Sequence, residues 1–124
     1  MRGLALSAVG LLIWGLSSMQ VMSPSDTRWF RHHVVEQQRP VLVKFTSDTC
    51  PACRAIEPEL SEVESRYSGR LKVLRIDVAE HPQLAEHFRV AAVPSLVLFR
   101  AGQVSARYQG HSEKLLDWIG WQLS

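Results

Sequence analysis

The chain has 124 residues, enough for one domain with a modest core. It is 46% apolar and 21% charged with a net charge of +2, an ordinary globular balance, and its basic residues are too scattered to form a nucleic-acid-binding stripe. Its Cys count of 2 excludes a disulfide-rich scaffold, and none of its 5 histidines stands where it would complete a four-ligand zinc site with them.

The first segment, Leu4 to Met22, carries no charge and follows Arg2. As a helix it would reach roughly 28 Å at about 1.5 Å per residue, close to the thickness of a bilayer core. A basic start, an apolar centre and the small residues around Gly15, Ser17 and Ser18 also fit a signal peptide, although no clean Ala-x-Ala cleavage site follows. The poor cleavage site favours a retained anchor over a cleaved signal, and both over a buried core helix. Residues 1–25 therefore read as signal peptide or membrane anchor plus a short linker, Ser23-Pro24-Ser25, and residues 26–124 as the folded domain. Arg2 argues that the start stays in the cytoplasm, and Arg28 and Arg31 weaken that bias. The expected location is anchored in the inner membrane or secreted, with the domain outside the cytoplasm, in a bacterial periplasm.

The body opens with a helix capped by Asp26 and running to about Gln38, with Trp29, Phe30 and Val34 inward and Pro40 ending it. Val41 to Thr46 is a short β-rich run and reads as a buried strand. Next comes a helix starting at Pro51, a residue suited to the first helical position. Ala52, Ile56, Leu60, Val63 and Tyr67 form its apolar stripe, Pro58 kinks it and Gly69 ends it. Leu71 to Val78 is a strand covered on both faces, and Pro82 to about Phe88 a short helix. Val93 to Arg100 and Gln103 to Gln109 pair as a hairpin about Ala101-Gly102. Ser112 caps a last helix that buries Leu115, Leu116 and Ile119, with Trp118 and Trp121 packing it. The order α-β-α-β-α-β-β-α gives an α/β sheet with parallel strands from the helical crossovers and an antiparallel strand from the hairpin.

Cys50 falls at a helix start and Cys53 one turn on. Unpaired N–H groups and the partial positive charge of a helix start stabilise a thiolate, and the thiolate is the species that attacks disulfides. The second thiol is within reach to resolve a mixed disulfide, so a C-x-x-C beside a β-α-β pattern reads as a redox pair. A metal site would need two further ligands, and a disulfide closing so short a loop would restrain little of the unfolded chain.

VLVKF (Val41 to Phe45), CPAC (Cys50 to Cys53), Pro58, VPSLVLF (Val93 to Phe99) and Gly110, in this order and spacing, resemble the thioredoxin superfamily over Asp26 to Leu123. The resemblance implies a thioredoxin fold: a central mixed sheet flanked by helices, here behind an N-terminal hydrophobic helix, with the dithiol at the end of the first core strand. It implies that Val93-Pro94 is a cis peptide bond beside the dithiol. It also implies that Val93 and Pro94 bind substrate, the backbone of Val93 offering hydrogen bonds to an extended segment.

Departures from the family pattern bear on redox tuning. Thr49 replaces a tryptophan, and Pro51-Ala52 replaces Gly-Pro. Lys44 aligns with the family's buried aspartate, and Arg75 with that aspartate's lysine partner. Lys44 either favours the Cys50 thiolate and makes the disulfide more oxidising, or extends to water and does little. Two neighbouring cations in a core are costly, which favours the second reading, and Asp48 is the carboxylate in reach to offset their field. His111, on the loop bordering the substrate surface, reads as solvated.

The implied activity is thiol–disulfide exchange with protein substrates, in the reducing direction by analogy with exported, tethered members. Cys50 is the nucleophile, Cys53 the resolving cysteine, and Pro51, Ala52 and Lys44 the tuning residues. The expected partners are protein thiols and disulfides, an upstream redox partner, and a membrane through residues 4–22. Neither cofactor nor metal is required, and no nucleic acid is involved. The rivals are a non-catalytic binding module on the same fold and a metal-binding dithiol module.

Overall fold

The computed structural model describes residues 23–108 and 113–124. The apolar stretch Leu4 to Met22 and the readings of Gly110, His111 and Ser112 lie outside the described residues. Among the described residues, no helix is long and apolar enough to cross a membrane.

Helix α1, Pro24–Phe30, continues into a π-helical turn, Arg31–Val35. Its cap is Ser23 rather than Asp26: the Ser23 hydroxyl accepts from the Asp26 N–H at 3.1 Å. Asp26 sits in the first turn, buried, and its Oδ1 lies 2.8 Å from Nδ1 of His81. The helix ends at Val35, short of Gln38. The turn widens there as Glu36 N–H donates to the Arg31 carbonyl, and Pro40 disfavours helical geometry in the residue before it.

Strands β1 (Val41–Thr46), β2 (Lys72–Asp77), β3 (Ser95–Arg100) and β4 (Gln103–Tyr108) form one sheet in the order β2-β1-β3-β4. β1 runs parallel to β2 and antiparallel to β3, and β3 is antiparallel to β4. On one face, Val41, Val43 and Phe45 of β1 pack with α1, the π-helical turn after it and α4 (Pro82–His87), through Phe30, Val34 and Leu84 respectively. On the other face, Leu42 packs with α3 (Glu57–Arg66) and α5 (Leu115–Leu123) through Leu60, Val63 and Ile119. Both faces of β1 are covered, which explains its nearly unbroken apolar run. By strand alternation Lys44 shares the face of Leu42, toward α3, and Arg75 shares the face of Val73. Lys44 and Arg75 are direct partners in the β1–β2 register.

The kinked helix is α2 (Pro51–Ala55) followed by α3, with Ile56 between them. Pro58 has no N–H to donate back one turn, so the ladder breaks just before it. Within the predicted stripe, Leu60 and Val63 are buried and Ile56 and Tyr67 half-buried, whereas Ala52 is exposed at the start of α2. In α5 the buried side is Leu115, Trp118 and Ile119. Leu116 is half-buried, and Trp121 is 69% exposed rather than packed.

The hairpin between β3 and β4 turns through Ala101 at φ 53° and Gly102 at φ 80°. Both central residues are left-handed, as a two-residue hairpin loop of type I′ requires. A Cβ on Gly102 would also come within 2.6 Å of Val35 Cγ2. Gly102→Ala is therefore expected to lower the unfolding free energy by about 1–3 kcal/mol in urea titration. An unchanged urea midpoint would contradict this account of the turn.

Candidate active site

β1 delivers the chain to the site, the loop Ser47–Thr49 turns it, and Cys50 becomes the N-cap of α2 with extended backbone, φ −103° and ψ 107°. Cys50 and Cys53 are joined as a disulfide, their Cα atoms 5.2 Å apart. The two sulfurs differ in environment. The Cys53 N–H donates to Cys50 Sγ at 3.1 Å, and Cys50 is half-buried. Cys53 lies beneath it, 1% exposed. When the bond opens, a thiolate at Cys50 keeps that backbone donor and sits at the positive end of the helix, both of which favour the charged form. Of the two cysteines, Cys50 is the more exposed.

Val93-Pro94 is a cis peptide bond. The Val93 carbonyl oxygen lies 3.7 Å from Cys50 Sγ, so the chain before Pro94 borders the dithiol as the resemblance implies. An open groove of about 440 Å³ starts here, lined by Ala52, Ala55, Ile56, Glu59, Pro94, Leu96 and Tyr108. Small side chains at 52 and 55 leave its wall low. At its far end the Glu59 carboxylate accepts from the Leu115 N–H and so ties α3 to the start of α5.

Lys44 does not extend to water. It is 3% exposed, and its Nζ donates to the Cys53 carbonyl at 2.7 Å and to Glu57 Oε2 at 2.8 Å. Glu57 Oε1 accepts from Arg75 Nε at 2.7 Å, and Arg75 also reaches Glu64 at 3.2 Å. The two strand cations are thus bridged by a helix carboxylate, which offsets the repulsion that had argued against a charged Lys44. Asp48, the carboxylate expected to offset them, instead receives Arg54 on its backbone carbonyl at 3.2 Å. Glu57 was missed from the sequence although it carried a signal. It stands one helical turn after Cys53, on the helix packed over two adjacent strand cations that need a counter-ion.

Burial pulls the Glu57 carboxyl upward, but Lys44 and Arg75 overcome this and hold it below its ordinary value of 4.5. A carboxyl depressed on folding stabilises the native state fully above its unfolded value, and that contribution is lost as pH falls through the folded one. The stability advantage of the parent over Glu57→Gln is therefore expected to be constant above about pH 5 and to shrink below about pH 4.5. Urea titrations of both proteins at several acid pH values measure it, and a gap that stays constant to pH 3 would contradict the assignment.

Among the described residues, no three metal-ligating side chains cluster. Comparison with known proteins identifies close sequence likenesses. A family model described as thioredoxin matches residues 20–120. The thioredoxin of Rickettsia felis is 32% identical over 92 residues, covering 73% of this chain and 88% of that protein. Thioredoxin 1 of a Nostoc species is 34% identical over 74 residues, covering 60% and 69%. Thioredoxin C-2 of Corynebacterium nephridii is 33% identical over 93 residues, covering 75% and 85%.

Proposed function

The chain belongs to the thioredoxin family, and from that membership we propose a protein-disulfide reductase in which Cys50 attacks and Cys53 resolves. The observation that carries the division of labour is the asymmetry of the pair: a half-buried Cys50 sulfur holding a backbone N–H at 3.1 Å, over a Cys53 that is 1% exposed. In the reduced protein the Cys50 thiolate attacks one sulfur of the client disulfide. The client S–S bond breaks, a Cys50–client disulfide forms, and the first client sulfur leaves as a thiolate that takes a proton from solvent. Cys53 then loses its proton and attacks Cys50 Sγ. This closes the Cys50–Cys53 bond and expels the second client thiolate. Two electrons pass to the client, and an upstream dithiol must return them.

The substrate is an extended protein segment lying along Val93 and Pro94. The reading is supported by the Val93 carbonyl at the dithiol and by the groove that continues past Pro94. Pro51, Ala52 and Lys44 tune the pair: Pro51 and Ala52 form the first turn over which the thiolate is held, and Lys44 places a buried cation against the Cys53 backbone. Limited alkylation of the reduced protein tests the order of the cysteines. Near neutral pH, Cys50 should be modified first, by roughly tenfold or more, given its thiolate-favouring position. Modification of Cys53 first would overturn the assignment.

The uncharged run Leu4 to Met22 behind Arg2 supports export, with that segment as membrane anchor or cleaved signal and the domain outside the cytoplasm. Fractionation of cells expressing the full chain separates the two. An anchored chain keeps its full mass in the membrane fraction, and a cleaved one appears shortened in the soluble periplasmic fraction. Full-length protein in the cytosolic fraction would defeat both.

A further inference from the structure

The ion pair of Lys44 and Glu57 stands directly behind the resolving cysteine. The Lys44 ammonium is bound to the Cys53 carbonyl, and the carboxylate that meets it comes from α3, at the turn following Cys53. Both side chains border an open cavity of about 300 Å³ that Cys53 also lines. The charged groups around Cys53 are Lys44 from β1, Arg75 from β2, Arg54 from α2, Glu57 from α3 and Asp48 from the preceding loop, with Glu64 behind Arg75. The nearby β3 residues, Ser95 and Leu96, bring no charge. Of these groups only Lys44 is both buried and hydrogen-bonded to Cys53, through the backbone carbonyl of that residue.

A charge held out of water beside a thiol shifts its acidity strongly, because little solvent screens it. An ammonium alone in this place would favour the Cys53 thiolate, and a carboxylate alone would suppress it. We propose that Glu57 is a positioning residue for the dithiol: it offsets the charge of the Lys44 ammonium that is held at the Cys53 carbonyl, so that the pair sets the acidity of the resolving thiol. The proposal rests on the tuning role given to Lys44 above and adds the residue that controls it.

Titration of Cys53 by thiolate absorbance, in the otherwise full chain carrying Cys50→Ser, reads this thiol alone. Lys44→Met should raise its pKa and Glu57→Gln should lower it, each by about one unit, and the double variant should return close to the parent. Glu57→Asp, which keeps the charge but draws it back by one methylene, should shift the pKa the same way as Glu57→Gln and by less. It carries the test if Glu57→Gln does not fold. Shifts of opposite sign from the two single variants support the proposal, since loss of packing alone would not produce them. Glu57 variants that leave the pKa unmoved, or move it upward as Lys44→Met does, overturn it. An unmoved pKa in Lys44→Met alone would defeat the tuning role of Lys44 instead.

Discussion

Cys50→Ser is expected to lower the rate of protein-disulfide reduction by on the order of a thousandfold or more, with little change in fold. The serine hydroxyl at the N-cap of α2 can still accept the Cys53 N–H, so the helix start remains capped. What disappears is the nucleophile: a hydroxyl is almost wholly protonated near neutral pH and does not attack disulfide sulfur. Cys53, 1% exposed, cannot take over the attack on a protein client. Turnover in a coupled disulfide-reduction assay measures the effect, and circular dichroism verifies the fold. A Cys50→Ser protein as active as the parent would remove the enzymatic reading altogether.

Cys53→Ser separates the two halves of the reaction. Cys50 keeps its exposure and its place at the helix start, so the first attack proceeds. No thiol then lies beneath the mixed disulfide to release it. Turnover should fall by at least about a hundredfold while a covalent Cys50–client adduct accumulates. Intact-mass analysis should show the added mass of one client chain, and an external dithiol should remove it. Turnover near the parent level without an adduct would mean that an outside thiol, rather than Cys53, resolves the intermediate.

Much of this site is legible along the chain because it depends on local order. Pro51 after Cys50 marks a helix start, the C-x-x-C spacing places the second thiol one turn later, and Pro58 breaks the ladder just ahead of itself. The β1 run reads as a two-sided core strand, whereas Lys44 and Arg75 are set together in the sequence only by the family resemblance and are direct partners in the β1–β2 register. What was not legible is the contact across elements. The fate of Lys44 depended on which side chain α3 would lower toward β1, and strand alternation alone does not name Glu57. Ser23 rather than Asp26 is the cap because the helix begins at Pro24, and Asp26, inside the first turn, meets His81 across 55 residues of sequence. Trp121 is expected to pack the last helix along with Trp118, but the buried stripe of α5 runs through Leu115, Trp118 and Ile119 and leaves it outside.

The direction of electron flow is the most direct test of the account. Thioredoxins poise near about −270 mV, and the strongly oxidising members of the superfamily near about −120 mV. Lys44 and Arg75 are met by Glu57 and Glu64, which leaves little unbalanced positive charge beneath the dithiol, so the reduced form gains no large stabilisation and the protein should remain a reductant. Equilibration of the full chain with a dithiol–disulfide buffer, read by thiol alkylation and mass, gives the potential of the Cys50–Cys53 couple. A value more negative than about −200 mV is predicted. A value near about −120 mV would contradict the reductase assignment and make the protein a disulfide donor.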